Sequence, residues 1–461
     1  MAKAMESRKE TILIKYAIFS RLLVLFLTIL WRSFLQPYDT SAALNPPCLH
    51  HKDVIENPPP PLVANGVSKT LKNSVVWDSV YFLRITQCGY EYEQTYAFLP
   101  LLPFFIKLLS RTVFAPLVPL IGLRAVMVLS GYFVSNLAFV FAAIYLFRVS
   151  VIILKDTDAA FRASVIFCFN PASIFYSSIY SESLYALFSI GGVYYLLSGT
   201  SNVAVLWFAL SSCARSNGVL NAGYICFQTM HRAYEALYQK KRLCLAVQVL
   251  VAGFLRCVCI CLPFVVYQAY AYYNICHGHK QDELRPWCKA RIPLMYSFIQ
   301  SHYWGVGFLR YFQFKQLPNF LLASPILSLA VCSIKSYMTS RPELFLSLGF
   351  QATEKEKRSS ARLYSLKDAY VKTSPNEGNP DFRQRKPSRK KDATVTNVAA
   401  ESNSLEKSGY FSADVFPFVV HLGLMAATAF VAMHVQVATR FLSANPPLYW
   451  FASHLIASPK N

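Results

Sequence analysis

Long runs of apolar residues, separated by short polar segments, recur along most of the 461-residue chain. A helix of about 20 apolar residues is long enough to cross a bilayer, and residues 11–31 form the first such run. Further apolar runs lie at 97–118, 123–147, 159–177, 182–198, 202–230, 245–272, 318–337, 414–435 and, more briefly, 441–456. The pattern predicts an all-α polytopic membrane protein with about eight to ten membrane helices.

Composition supports a membrane protein and excludes a soluble enzyme. Charged residues make up 15% of the chain, whereas globular proteins carry about 25%. The 35 Phe and 28 Tyr also exclude disorder over most of the length, because disordered chains contain few aromatic residues. The excess of Lys and Arg gives a net charge of +21. A nucleic-acid partner would need a folded basic domain, and the sequence contains no recognisable one, so none is expected.

Two basic segments predict the orientation in the membrane. The loop 231–242 and the stretch 351–408 are rich in Lys and Arg, which is typical of cytoplasmic loops. The polar segments 37–96 and 273–317 then lie on the opposite side. The whole segment 338–410 is expected to be a disordered cytoplasmic loop without a catalytic role, because it lacks apolar periodicity.

The chain therefore divides into seven segments. They are an N-terminal tail and first span (1–36), a first long loop (37–96), a helical membrane core (97–272), a second long loop (273–317), a single span (318–337), the basic loop (338–410) and C-terminal membrane helices (411–461).

Region 97–230 allows two arrangements. Four prolines interrupt 97–118, so this run either crosses the membrane or lies on its surface. A crossing would make the turn before Glu182 cytoplasmic. A surface helix puts Glu182 on the opposite side and makes 202–230 re-entrant. We prefer the second arrangement because it places Arg148 and Lys155 on the cytoplasmic side.

Four cysteines, Cys48, Cys88, Cys276 and Cys288, lie in the two long loops, and the others lie in apolar segments. Loop cysteines form stable disulfides only where the loops face an oxidising compartment. The sequence leaves their pairing open. It contains no Gly-rich nucleotide loop and no His-Glu-x-x-His motif, so we expect no metal site, no cofactor and no metal-bound nucleotide sugar.

Charged residues flanked by apolar sequence are costly in a membrane protein and therefore mark candidate sites. Asp78, directly after Trp77, is either a general base for a sugar hydroxyl or the cap of a helix. Glu182 is either a second acidic group or a favourable charge at a helix N-terminus. Arg215 and Asn217 interrupt an apolar run, and an arginine there needs an anionic partner.

The second long loop combines aromatic and cationic residues. This mixture suits sugars and phosphates, but it is also typical of an interfacial aromatic belt with arginines, and composition does not distinguish the two. The residues concerned are Arg285, Trp287, Cys288, Arg291, Gln300, His302, Tyr303, Trp304 and Arg310.

Five blocks of the sequence, in order, resemble the PIG-V family of GPI mannosyltransferases. The first starts at Trp77-Asp78 and ends at Pro103; the others are 169–183, 214–220, 303–313 and 315–320, together with His434-Val-Gln436 and Arg440. The resemblance implies a GT-C glycosyltransferase of the endoplasmic reticulum membrane with lumenal loops forming the active site. It also implies transfer of mannose from dolichyl phosphate mannose to the first mannose of a GPI precursor, in an α-1,6 linkage and with inversion.

The resemblance assigns expected roles to individual residues. Asp78 is the base or orients the acceptor, Trp77 shapes the sugar site and Glu182 is the second acidic position. Substrate-binding candidates, for the phosphate, the lipid head groups or the sugars, are Arg84, Glu91, Arg215, Asn217, Trp304 and Arg310. Animal relatives tend to carry His where this chain has Val76, which argues against a histidine base there.

Partners and alternatives follow from the same resemblance. Lipid substrates are expected as partners, and some members of the family work with a small membrane subunit. Another dolichyl-phosphate-sugar transferase would share fold and donor but should carry two neighbouring acidic residues in the first loop. A lipid transporter would show internal repeats or charged groups in paired half-helices.

Overall fold

The computed structural model describes residues 2–34, 48–49, 70–278, 284–365 and 409–457. Helices dominate these ranges and no strand occurs in them, which confirms the predicted all-α class. The numbered helices are α1 (Ala2–Phe34), α2 (Asp78–Cys88), α3 (Leu101–Arg111), α4 (Leu123–Leu154), α5 (Thr157–Cys168), α6 (Ser173–Ser177), α7 (Glu182–Leu197), α8 (Ser201–Ala214), α9 (Ala222–Tyr234), α10 (Leu243–Cys276), α11 (Met295–Trp304), α12 (Leu317–Ser340), α13 (Phe416–Val431), α14 (Ala438–Leu442) and α15 (Pro446–Ala457).

In the described part of the chain, five helices are long and apolar enough to cross a membrane. They are Ala4–Trp31, Leu123–Leu154, Leu243–Cys276, Phe314–Ser340 and Ala413–Val431. A sixth results if α3 and the following Ala115–Ile121, bent by 67°, count as one span. This is fewer than the predicted eight to ten. Helix α7 has 16 residues, so at about 1.5 Å per residue it is shorter than the hydrocarbon core of about 30 Å. Helices α8, α9 and α15 are shorter still. Like α7, they can cross the hydrocarbon core only together with their flanking turns.

Contacts along the 32-residue helix α4 define two ends of the bundle. Near its C-terminus, Arg148 Nη2 lies 2.6 Å from Glu10 Oε1 at the start of α1. Twelve residues nearer its N-terminus, Asn136 Nδ2 donates to the carbonyl of Ser177, 3.0 Å away and shortly before α7. Glu182 and the beginning of α1 therefore lie at opposite ends, which we call the Asp78 end and the Glu10 end. This agrees with the preferred sequence arrangement in placing Glu182 and Arg148 at opposite ends.

The expected disorder of the basic loop does not extend to 341–365. Thr353 and Glu356 form a capping box at the start of Glu354–Ser359, and Glu356 also pairs with Arg341 at 2.8 Å. Tyr364 donates to the carbonyl of Ala413, 2.8 Å away. Composition missed this segment because its stability comes from specific caps and ion pairs rather than from apolar periodicity. Most of the predicted loop, 366–408, lies outside the described residues.

A second, smaller core lies at the Asp78 end, where α10, the segment 90–99 and the second long loop meet. Its buried members are Tyr96, Leu99, Tyr267, Ala271, Cys276, Trp287, Cys288, Met295 and Ile299. Disulfides Cys48–Cys88 and Cys276–Cys288 each close one loop, which settles the pairing that the sequence left open.

Candidate active site

Trp77 and Asp78 stand where the chain enters α2. Trp77 has φ 53° and ψ −128°, a sparsely populated region that costs a bulky residue about 1–3 kcal/mol. Phe82 and Leu83, 3% and 2% exposed, anchor the helix by its buried face. Asp78 is the first helical residue rather than the cap, and its carboxylate accepts a hydrogen bond from a distant side chain. The helix-cap interpretation of Asp78 is therefore not needed.

That side chain is Arg440, in the short helix α14. Its Nη1 lies 2.7 Å from Asp78 Oδ2, and its Nε lies 3.6 Å from Glu182 Oε1. The guanidinium also lies 5.3 Å from the ring centre of Phe175 and 5.6 Å from that of Tyr180. Burial alone would lower the pKa of Arg440, but the charges of Asp78 and Glu182 raise it instead. Arg440 is thus a permanent cation between two carboxylates.

Glu182 begins α7 and its side chain is only 3% exposed. Its Oε1 contacts Arg215 Nη1, so the predicted anionic partner of Arg215 is a carboxylate of the same chain. Arg215 is extended because α8 ends before it. The following turn packs so closely on α8 that a Cβ at Gly218 would lie 2.4 Å from the Ser211 backbone. Asn217, in this turn, is buried, and its Nδ2 has no hydrogen-bond partner within the described ranges.

Asp78, Arg440, Glu182 and Arg215 therefore form one group of alternating charge, which we call the charged cluster. The side chains of Asp78 and Arg440 remain 30% and 20% exposed, whereas Glu182 is closed off from solvent. A substrate can reach Asp78 and Arg440, while Glu182 is placed to hold the two arginines. The four predicted residues Trp77, Asp78, Glu182 and Arg215 are thus brought to one place.

Arg84 and Glu91 do not join this cluster. They form a buried ion pair, with side chains 3% and 1% exposed and Arg84 Nε 2.9 Å from Glu91 Oε2. Glu91 also accepts a hydrogen bond from the backbone of Leu49, beside the Cys48–Cys88 disulfide. The pair holds the first long loop together, so both residues have an intramolecular partner, and substrate binding by them stays a prediction.

Trp304 is connected to the site by contacts with two other aromatic rings. It ends α11 with its ring 6.2 Å from Phe98, which stacks on Tyr81 at 4.6 Å. Tyr81 lies one turn after Asp78 in α2, and burial together with the Asp78 charge raises its pKa. Arg310 is exposed and lies outside the charged cluster.

Three residues of the second long loop bind a carboxylate of the first. Glu93 accepts hydrogen bonds from Trp287 Nε1 at 2.7 Å, Tyr303 Oη at 2.6 Å and Arg285 Nε at 3.1 Å. Burial would raise the pKa of Glu93, but the hydrogen bonds from Arg285, Tyr303 and Trp287 outweigh burial, and its pKa lies below the usual value. These aromatic and cationic groups therefore join the two loops, a role that neither sequence interpretation included.

Sequence reasoning missed two arginines. Arg440 was noticed only as part of the family resemblance, although one cation between two apolar runs is itself a signal. Arg21, in the middle of α1, is 3% exposed and was overlooked. An Asp-x-Asp sequence, which is typical of transferases that use a metal-bound nucleotide sugar, does occur at Asp156-Thr-Asp158. Asp156 caps α5, and Asp158 pairs with Lys9 at 2.7 Å, at the Glu10 end.

Comparisons with known proteins show the family of this chain. The family model described as mannosyltransferase (PIG-V) matches residues 8–461. Human "GPI alpha-1,6-mannosyltransferase 2" is 30% identical, over 98% of this chain and 84% of its own length. "GPI mannosyltransferase 2" of Drosophila melanogaster is 28% identical, over 85% and 81%. No solved structure matches the chain. The chain therefore belongs to the PIG-V mannosyltransferase family.

Proposed function

We propose that this protein is the GT-C enzyme that transfers the second mannose of the GPI anchor, in α-1,6 linkage, from dolichyl phosphate mannose to the GPI precursor. The observation that carries the proposal is the charged cluster, in which an accessible carboxylate and two arginines meet in a PIG-V mannosyltransferase. The names of the relatives support the linkage and the acceptor. Both substrates are membrane lipids, and the reaction as proposed needs no metal ion or cofactor.

Asp78 is the general base. Its carboxylate is the more exposed of the two acids in the cluster, so it can approach an acceptor hydroxyl within hydrogen-bond distance. The hydroxyl oxygen attacks C1 of the donor mannose while its proton passes to Asp78. The bond from C1 to the phosphate oxygen breaks, and dolichyl phosphate leaves with the electron pair. A single displacement converts a β-linked donor into an α-linked product.

Arg440 and Arg215 stabilise the departing phosphate. Guanidinium groups bind phosphate oxygens in bidentate geometry, which suits the charge that develops as the bond to C1 breaks. Arg440 is held by Asp78 in this structure, so the incoming phosphate competes with Asp78 for it. The exchange frees the carboxylate to act as a base once the donor is bound. Glu182 keeps both arginines in place. Asn217, whose buried amide nitrogen has no hydrogen-bond partner in the described residues, lies in the turn that follows Arg215.

Trp77 and the ring series Tyr81, Phe98 and Trp304 shape the sugar site. The Trp77 side chain is 52% exposed beside Asp78, and aromatic faces pack well against the apolar faces of sugars. The strained backbone at Trp77 fixes both the indole and the carboxylate at the start of α2.

The reaction takes place on the lumenal face of the endoplasmic reticulum membrane. Two disulfides at the Asp78 end support an oxidising compartment there. Arg362 donates to the carbonyl of Leu197, at the end of α7 opposite Glu182. Arg341 donates to the carbonyl of Phe411, near the Lys155–Asp414 ion pair at the end of α4. Both arginines therefore belong to the Glu10 end, which fits the excess of cations in cytoplasmic loops. A small membrane subunit is a further proposed partner.

Complementation tests the proposal. The chain is expressed in cells that lack GPI mannosyltransferase 2, together with Asp78→Asn and the matched control Asp158→Asn, which lies at the Glu10 end. We expect the wild type and the control to restore surface GPI-anchored proteins. Asp78→Asn should lower turnover by about 10²- to 10⁴-fold, the usual contribution of a general base, at normal protein level.

Two outcomes would contradict the proposal. Normal activity of Asp78→Asn would remove this residue from the mechanism. A well-expressed wild type that fails to rescue would point to a missing subunit or to another step. Co-expression with subunits of the host, and identification of the lipid that accumulates, separate these two cases.

A further inference from the structure

Four residues, with no carboxylate and no guanidinium among them, form a group at the same end of the bundle as Asp78, which we call the aromatic–amide cluster: Tyr311, Asn319, His434 and Gln436. The ring of Tyr311 stacks on that of His434, with centres 4.6 Å apart. Its hydroxyl accepts a hydrogen bond from Asn319 Nδ2 at 2.7 Å and donates one to Gln436 Oε1 at 3.3 Å. The mechanism proposed for the charged cluster uses none of these four residues.

Backbone contacts hold the aromatic–amide cluster against the charged cluster. The amide of Leu309 donates to the carbonyl of Val431 at 2.7 Å, which ties the second long loop to the end of α13. The turn Val435–Val437 runs directly into α14. Gln436 lies four residues before Arg440 in this helical stretch, so the two residues are about one helical turn apart along the chain. Since Arg440 contacts Asp78, the two clusters adjoin.

The aromatic–amide cluster retains unused hydrogen-bonding capacity. Gln436 is exposed, and its amide nitrogen donates to no group in the described part of the chain. The ring of His434 is stacked, and its two nitrogens likewise make no hydrogen bond within the described residues. The hydrogen bond from Asn319 to Tyr311 joins the second long loop to α12 without using the His434 nitrogens or the Gln436 amide nitrogen. These remaining donors and acceptors lie next to the Tyr311 ring.

These groups match the chemistry of a neutral sugar. A primary amide offers a donor and an acceptor to adjacent hydroxyls, imidazole offers one of each, and an aromatic face covers the C–H surface of a pyranose. The cluster itself carries no carboxylate and no guanidinium, so it is unsuited to the donor phosphate, for which Arg440 and Arg215 are available.

We propose that the aromatic–amide cluster is the acceptor subsite, which binds the hydroxyls of the sugar that receives the mannose. The reactive hydroxyl then points to Asp78, while the rest of the acceptor ring extends along the face of α14 towards Gln436 and His434. This inference rests on the proposed function and assigns its acceptor to a named surface.

Steady-state kinetics in microsomes test the subsite, with the monomannosylated glycolipid that accumulates in cells lacking this step as acceptor and dolichyl phosphate mannose as donor. Gln436→Ala should raise the KM for the acceptor by about five- to tenfold, the loss expected for one neutral hydrogen bond. The KM for the donor and kcat should stay within about twofold, because the charged cluster is unchanged. His434→Ala should act in the same direction.

The matched control is Gln313→Ala. Gln313 is an exposed glutamine of the second long loop that donates to the carbonyl of Arg310, so its replacement should leave both KM values as in the wild type.

The results separate three cases. An unchanged acceptor KM in both Gln436→Ala and His434→Ala would overturn the subsite while leaving the proposed function standing. A raised donor KM with an unchanged acceptor KM would assign the cluster to the donor and equally overturn it. A wild-type protein that does not transfer mannose to this acceptor at all would contradict the proposed function itself.

Discussion

At the scale of single residues, Arg21 illustrates how a cation is kept inside a helical membrane layer. Its guanidinium donates to the carbonyls of Cys168 and Ser173, each at 3.1 Å, and to Ser177 Oγ at 2.9 Å. It also lies 3.7 Å from the ring centre of Phe139. Its acceptors lie at the end of α5 and in α6, from which the chain continues to Glu182. Arg21 therefore positions a carboxylate that it does not touch.

Replacing Arg21 should destabilise the protein. Arg21→Met leaves several buried acceptors without a donor, each costing about 1–3 kcal/mol. Arg21→Lys should be intermediate, because a point charge cannot reproduce the planar fork of donors. The measurement is the midpoint of thermal denaturation in detergent, with the exposed Arg8→Met as the control. Equal midpoints for Arg21→Met and Arg8→Met would show that these hydrogen bonds do not support the fold.

Sequence alone identified part of the site at this scale. Asp78, Glu182 and Arg215 stood out because isolated charges in apolar surroundings are costly. Arg440 could not be assigned as the partner of Asp78, since they are 362 positions apart and nothing local connects them. The same reasoning could not separate Arg84 and Glu91, which are paired and buried, from residues that meet a substrate.

At the scale of elements, hydropathy predicted the long helices α1, α4, α10, α12 and α13 but not the interruptions between the shorter ones. The run 202–230 is two helices divided at Arg215, because the extended residue and the tight turn at Gly218 depend on tertiary packing. Disulfide pairing was equally inaccessible, as four cysteines allow three pairings. The break at Arg215 places this residue beside Glu182, so a part of the fold that sequence misses also helps to assemble the site.

A double-mutant cycle tests the role of the ion pair that links α2 to the first long loop. Arg84→Met leaves the Glu91 carboxylate buried and unpaired, which should cost about 3–5 kcal/mol. Arg84→Met combined with Glu91→Leu should recover most of this stability, because no buried charge remains. Thermal denaturation of both variants and of Glu91→Leu measures the coupling.

Activity of the double variant distinguishes structure from substrate binding at this pair. A purely structural role of the Arg84–Glu91 ion pair predicts that the double variant is folded and has nearly normal KM values. A folded double variant with a strongly raised KM for either substrate would instead support the substrate-binding role that the sequence predicted for Arg84 and Glu91.

At the scale of the whole molecule, the two long loops form one unit at the Asp78 end. The smaller core joins them to α10, each is closed by its own disulfide, and Glu93 connects them through Arg285, Trp287 and Tyr303. Trp304, next to Tyr303, also touches the ring series that leads to Asp78. The position of the second loop over the site therefore depends on the smaller core and on one ionised carboxylate.

Stability should consequently depend on pH through Glu93. Its pKa in the folded protein is lowered from 4.5, because hydrogen bonds from Arg285, Tyr303 and Trp287 outweigh the effect of burial. A group with a depressed folded pKa contributes its full stability above the unfolded value and loses it as the pH falls through the folded value. The denaturation midpoint of the wild type should thus exceed that of Glu93→Gln at neutral pH, and the difference should shrink below about pH 4.5.

The matched control is Glu354→Gln, at an exposed position. Its denaturation midpoint should follow that of the wild type at every pH. If the difference between wild type and Glu93→Gln stayed constant down to pH 3, the ionised carboxylate would not be what joins the loops, and the neutral hydrogen bonds from Trp287 and Tyr303 would have to suffice.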